Sequence, residues 1–450
     1  MKRKEMLLIT AVALGTLLNP LNTTMISVAL ARLQEDFHLT FADVSWLIST
    51  YYLVSAIGQP LMGKWSDIFG RKKVFMLGLL LVTLSSSLAP LSPSFGWLIG
   101  FRIIQALGSS ALFPSGMGMI RSQITSNQAK ALGIISIFSS TSAAFGPSLG
   151  GLLLHYGDWQ LIFLCNFPFI VASFLLAWKL FPTDPRTTGR AANMDWRGVA
   201  LFSAAIFMWL LFFLSLAEGF SLWKLIVSVG LSFWLYRYEL GQSNPFINVV
   251  FLRKNMNVTR IYVQFILTNI AFYSIMFGIP SYLQSVQGMD PQKTGIIMLS
   301  IAGFSVVITP LASRWIDQSG SKSPLMAGTT LVAVGSLLML LIQDHASAVT
   351  IFLVLCVLGI ANGFNNLAMQ TALYTFVSKE ETGIASGLFM TSRFIGTILS
   401  SSLLAALFGK HITTPHLHSM AWTCAVLGIM MLALTVWMPG GNVQKAGLSN

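Results

Sequence analysis

Gln59-Pro60-Leu61-Met62-Gly63-Lys64-Trp65-Ser66-Asp67-Ile68-Phe69-Gly70-Arg71-Lys72 returns 250 residues later as Thr309-Pro310-Leu311-Ala312-Ser313-Arg314-Trp315-Ile316-Asp317-Gln318-Ser319-Gly320-Ser321-Lys322. Pro, Leu, a basic residue, Trp, Asp, Gly and Lys recur in the same order. The same offset pairs Ser142 with Ser392 and Gly146 with Gly396. Each copy closes one apolar run and opens the next. A charged junction repeated at about half the chain length predicts two halves of like construction.

The composition says what surrounds those halves. Of 450 residues, 54% are apolar and 9% charged, where a soluble domain carries about a quarter charged. So few charges cannot cover a soluble surface of this size, and disorder demands the opposite balance. A polytopic membrane protein is the remaining class. Runs long enough to span lie near 6–30, 43–64, 73–91, 95–119, 129–154 and 159–181, then 198–217 and 221–238. Six more lie near 256–284, 291–313, 324–343, 346–372, 382–408 and 419–438. Each approaches the ~20 residues a spanning helix needs, and lipid leaves backbone groups no partner except within a helix or closed barrel. The expectation is an all-α protein of fourteen spans: a six-helix bundle over 1–181, a linker with two inserted helices over 182–255, and a second six-helix bundle with a short tail over 256–450. Parallel halves of this kind are a transporter architecture.

The net charge of +12 comes from 27 Lys and Arg against 15 Asp and Glu. With the N-terminus in the cytoplasm, 21 of the 27 fall in cytoplasmic segments and four (Arg32, Lys224, Lys293, Lys410) in outer ones. Arg102 and Arg393 lie within spans. That asymmetry follows the positive-inside rule, places both termini in the cytoplasm and accounts for the basic excess without nucleic acid. The first run, following Lys2, Arg3 and Lys4, is too long for a signal h-region and is read as a retained span. Cys165, Cys356 and Cys424 are too far apart to suggest a disulfide framework.

With these motifs in hand, the chain resembles the fourteen-span drug:proton antiporters of the major facilitator superfamily over nearly its whole length. Gly63 to Lys72 resembles the superfamily's loop motif between the second and third spans. Trp46, Tyr51 and Leu53 are similar to the second-span pattern. Arg102-Ile103-Ile104-Gln105-Ala106-Leu107-Gly108 resembles the fourth-span motif, Gly146-Pro147-Ser148-Leu149-Gly150-Gly151 the antiporter motif of the fifth, and Thr391-Ser392-Arg393-Phe394-Ile395-Gly396 a pattern of the fourteen-span branch. The resemblance implies export of amphipathic compounds against proton entry, in a bacterial cytoplasmic membrane, by two halves that rock about a midplane site. It implies an intracellular gate at Asp67 and Arg71, with Asp317 as a second-half counterpart. One departure stands out. Asn22 occupies the position where the first-span motif has Asp, and Ala31 the position of its Pro.

Read from their own chemistry, Arg102 and Arg393 are costly at ~2.5–3.5 kcal/mol for a charge at a helix centre. Each either faces a polar interior, tuning a neighbour's protonation or holding an anion, or is satisfied by backbone carbonyls. Gly146, Pro147, Gly150 and Gly151 permit close helix approach, and Pro removes a backbone hydrogen bond. The same patch is either a seal that permits rocking or ordinary packing. Asn22, Tyr51, Gln59, Gln105, Asn269, Tyr273, Asn362 and Asn366 are candidate cavity positions beside Arg393, each with helix packing as its alternative. No acid lies deep in a span, and Asp43, at the outer start of the second, is the candidate proton site, against a helix N-terminal acid. His411, His416 and His418 are read as a solvated loop, with no metal site. No nucleotide, hydrolase or metalloprotease motif is present. No cofactor is expected beyond the proton gradient, and the partners are a small molecule, protons and lipid, on a monomer. The rival readings are an exporter of an anionic or neutral metabolite, and a membrane enzyme or lipid-handling protein, for which no catalytic dyad is visible.

Overall fold

A computed structural model describes residues 3–39, 41–124, 128–183, 194–215, 219–289, 291–408 and 412–438. Among them the regular structure is helical throughout. The helices are α1 (Arg3–Thr16), α2 (Leu18–Phe37), α3 (Phe41–Phe69), α4 (Arg71–Leu88), α5 (Phe95–Gln123), α6 (Gln128–Tyr156), α7 (Gln160–Leu164), α8 (Phe167–Leu180), α9 (Trp196–Ser215) and α10 (Leu222–Leu240). They continue with α11 (Val249–Lys254), α12 (Met256–Ser285), α13 (Pro291–Ser319), α14 (Lys322–Leu338), α15 (Ala348–Phe376), α16 (Thr382–Phe408) and α17 (Thr414–Val436).

A helix lies at each of the fourteen predicted stretches. Among the described residues, eleven helical segments are long and apolar enough to cross a membrane. Of the helices at the predicted stretches, α3, α6 and α10 lie outside that number, and α10 carries Lys224, Arg237 and Glu239 within its 19 residues. Large apolar side chains on the bundle exteriors, such as Leu80, Trp97, Val171, Phe233 and Trp422, are exposed as lipid contact requires.

The repeat is written into the helix boundaries. Helices α3 and α13 each run 29 residues and stand 250 apart, and each encloses its Pro, Pro60 or Pro310. Gly70 (φ 110°) and Gly320 (φ 80°) form the breaks that follow. Both angles belong to glycine because a Cβ would clash there, so the Gly of each copy is fixed by the turn. Helices α4 and α14 end alike in a short 3-10 turn, at Ala89–Leu91 and Met339–Leu341. A loop longer by three residues then shifts the offset to 253 for α5 and α15, again 29 residues each.

The chain forms two compact units. One comprises Met1–Ile206, Gly241–Ile247 and Val377–Phe394; the other comprises Phe207–Leu240, Asn248–Phe376 and Ile395–Asn450. The start of α16 therefore belongs with the first unit, although it lies in the second sequence half. The first unit packs α3 and α4 against α5, and α2 against α6; the second packs α13 and α14 against α15, and α14 against α17. The second core includes Ile279, Tyr282, Leu355, Leu417 and Met420.

Candidate functional site

A break in the sixth span builds the middle of the first unit. Pro168 has no N–H to continue a helix, so α7 ends at Leu164 and α8 begins at Phe167. The intervening Asn166 is fully buried and turns its amide inward, donating from Nδ2 to Asn22 Oδ1 at 2.8 Å and to Ser86 Oγ at 3.3 Å. Gln105 Nε2 donates to the same Asn22 oxygen at 3.3 Å, while Asn22 Nδ2 donates to the Leu18 carbonyl at 2.8 Å. Arg102, 1% exposed, donates from Nη1 to Gln105 Oε1 at 2.5 Å and lays its guanidinium over the Tyr51 ring at 4.3 Å. The Tyr51 hydroxyl pairs with Ser109 Oγ at 2.8 Å, and Asn19 Nδ2 donates to both at 3.2–3.3 Å. Four predicted residues, Asn22, Tyr51, Arg102 and Gln105, thus form one network. Asn19, Ser86, Ser109 and Asn166, which sequence reasoning missed, complete it.

The repeated loop builds a second cluster, also within the first unit. Asp67 presents Oδ1 to the Gly383 N–H at 3.1 Å and Oδ2 to the Ile384 N–H at 2.9 Å. These are first-turn donors of α16 with no partner inside the helix, and a carboxylate there also meets the positive end of the helix dipole. Arg71 lies 4.0 Å from Asp67, donates to the Gly118 carbonyl at 2.8 Å and reaches the Lys379 carbonyl. Arg121 donates to the Ser378 carbonyl at 2.7 Å and to Thr382 Oγ1 at 2.8 Å, and reaches the Val377 carbonyl just past the end of α15. The segment 377–384 is therefore held by an anion at its helix-starting end and by two cations at its helix-ending one. Burial pushes the Asp67 carboxyl up to about 7, against the opposing pull of the Ile384 N–H, Arg71, the Gly383 N–H and Lys64. In the sequence Arg121 is one of the 21 basic residues of the cytoplasmic segments, and nothing there signals its partners.

Close approach of α3 and α16 makes this possible. A Cβ on Gly383 would stand 2.7 Å from Asp67 Oδ1, and one on Gly387 2.5 Å from the Pro60 Cα. One turn further, Thr391 Oγ1 donates to the Ala56 carbonyl at 2.7 Å.

The remaining predicted residues are placed as follows. Gly146 and Gly150 sit at the α2–α6 contact: a Cβ on either would come within 2.8 Å of Thr24 Cβ or 2.7 Å of Val28 Cγ2. Gly151 has open space beside it. The side chains of Pro147 and Asp43 lie outside the described ones. Gln59 is buried in α3 with Oε1 unpartnered. Arg393 is half-buried in the part of α16 that belongs to the first unit. Asn269, Tyr273, Asn362, Asn366 and Asp317 belong to the second unit. Asn269 Nδ2 donates back to the Phe265 carbonyl at 2.7 Å, Tyr273 packs on Phe272 and Phe277, and Asn366 Nδ2 donates to Asn362 Oδ1 at 2.6 Å. Asp317 is exposed, unlike Asp67. A cavity of about 20 Å³, near the space of one water, is lined there by Phe272, Ile301, Leu358, Asn362 and Asn365 among others.

Helical bundles with apolar exteriors and a repeated charged junction define a polytopic membrane carrier. The chain belongs to the Major Facilitator Superfamily, whose family model matches residues 12–401 and 261–448. It is 41% identical to the MFS-type transporter YwoD of Bacillus subtilis, covering 97% of each chain. It is 26% identical to the multidrug resistance protein Stp of Mycobacterium tuberculosis, over 93% of this chain and 79% of that one. The solved human organic anion transporter MFSD10 superposes with a TM-score of 0.74 at 16% identity, over 96% of this chain and 100% of that one, a likeness of fold alone.

Proposed function

We propose that the protein is a fourteen-span antiporter that exports small amphipathic compounds by alternating access, driven by proton entry, with both termini in the cytoplasm. The observation that carries this reading is the Asp67 carboxylate on the Gly383 and Ile384 N–H groups. A charged loop clamped on a helix start from the other sequence half is a reversible latch, since its bonds break without disturbing either helix internally. The name of the Stp relative supports a drug-like substrate, and the 21-to-4 distribution of basic residues supports the orientation.

Asn22 in place of an acid, together with the buried Arg102 cation, favours neutral and anionic cargo over cationic. The test is flux in proteoliposomes with an imposed pH gradient, using a cationic dye, a neutral dye and an anionic dye of like size. Neutral and anionic dyes should move faster than the cation, and an ionophore that collapses the gradient should stop all movement. Flux unchanged by the ionophore would refute proton antiport, and strong export of the cation would refute the charge preference.

A further inference from the structure

Arg102 is a buried cation whose hydrogen bonds are half made. Nη1 is occupied by Gln105 and one face by Tyr51. Among the described residues Nε and Nη2 have no hydrogen-bond partner, and no Asp or Glu forms an ion pair with Arg102. These two nitrogens share one edge of the guanidinium, and their N–H bonds point the same way. That edge is the fork that matches both oxygens of a carboxylate. An unpaired cation and two unpaired donors at the centre of a bundle each carry a desolvation cost that a stable fold avoids unless something restores it.

The second unit shows that the fold does not require this arrangement. Arg102 is the eighth residue of α5, and Leu355 is the eighth of α15; Gln105 and Leu358 correspond likewise. At the offset of 250, Asn22 corresponds to Phe272 and Tyr51 to Ile301. Phe272, Ile301 and Leu358 line the small cavity of the second unit. Apolar residues thus serve at the same helix positions in one half, so the architecture alone does not call for the cation in the other.

We propose that the Nε–Nη2 edge of Arg102 binds a carboxylate carried on the transported compound, with Tyr51 and Gln105 fixing the plane of the guanidinium. This deepens the export reading and rests on it for the source of the carboxylate. The carboxylate of the cargo supplies the counter-charge that the chain itself withholds at Asn22, so cargo and internal acid are alternatives for one position of negative charge.

The experiment is calorimetric titration of the purified full-length protein with benzoate, 2-naphthoate and cholate, each against its methyl ester. At least one acid should bind tenfold or more tighter than its ester, and Arg102→Lys, which keeps the charge but loses the fork, should erase that preference. Gln105→Glu gives a check independent of misfolding. It places an acid beside the guanidinium, so it should raise the melting temperature while abolishing acid binding. The proposal is overturned if no acid binds, if acid and ester bind alike, or if either variant keeps the full preference. Export of a neutral dye is measured in parallel. Neutral export without acid binding removes the carboxylate site and leaves the carrier reading; acid binding without gradient-driven export does the reverse.

Discussion

Asp67 is a carboxylate whose ordinary value near 3.8 is lifted to about 7 where it sits. Desolvation of the charged form is the largest cause, and the two N–H bonds and nearby cations return only part of it. On the proposed gating α16 withdraws, water enters, and the group returns towards its ordinary range. Between about 3.8 and about 7 the latched form therefore binds more protons than the unlatched one. The sign follows by linkage: the latch is tightest below that window, loosens as pH rises through it, and changes no further above about 7. Ser66, buried beside Asp67, is a reporter position. Labelling of Ser66→Cys by a maleimide should rise between pH 5 and pH 7.5 after correction for thiol ionisation. Adding Asp67→Asn should flatten the profile, because the titrating group is gone. The same Asp67→Asn change should abolish transport in a protein that stays folded, since an amide mimics the protonated, tightly latched carboxyl and cannot lose its proton to release it. Full flux in that variant would contradict the latch. Asp67 and Arg71 were legible because their loop is repeated and polar between two apolar runs. Their partners were not, since Gly383 and Ile384 contribute only backbone N–H groups, which any residue but Pro possesses.

Helices were legible because lipid permits nothing else and the apolar runs have the right length. Packing partners were not, because hydropathy does not distinguish a lipid-facing stripe from a helix-facing one. Gly383, Gly387 and Thr391 show the difficulty. They recur every four residues on α16 and meet α3, yet glycine is common in spans generally. Gly146 and Gly150 were legible as a small-residue pair, and the structure puts both at α2. Substitution separates a contact glycine from a free one. Gly387→Leu forces a side chain into the Pro60 backbone, and neither chain has slack there. Maleimide labelling of Ser66→Cys should rise several-fold at pH 5 in that background, with transport lost. Gly295→Leu, where nothing lies within 4 Å, should leave both unchanged. Equal labelling in the two backgrounds would show that α3 and α16 do not close on this seam.

The two halves share helix lengths, prolines and turn glycines, but they have diverged inside. One keeps Asn22, Tyr51, Arg102 and Gln105 as a polar network, and the other has Phe272, Ile301, Leu355 and Leu358 at the matching positions. The repeat was visible in sequence at the loop because charges are rare there. The inner divergence was hidden, since the offset changes from 250 to 253 between α14 and α15. The proposed parallel halves require an even number of spanning helices between them, and α9 and α10 are the pair that decides it. Helix α10 is the weakest spanning candidate, with three charged residues in 19. Its Lys224 and Arg237 lie near opposite ends, where long side chains can reach the interface while the apolar middle crosses, and Glu239 is buried within the fold. Were α9 to span and α10 not, every later loop would change sides, and the basic residues of 253–260, 314–322 and 379 would face outward against the charge rule. Alkaline phosphatase, active only outside the cytoplasm, should accordingly be active when fused after Gly219 or His345 and silent when fused after Gln242 or Lys445. Activity after Gln242 would remove α10 from the membrane, and activity after Lys445 would place the two termini on opposite faces; either result dissolves the parallel arrangement of the halves on which export by rocking depends.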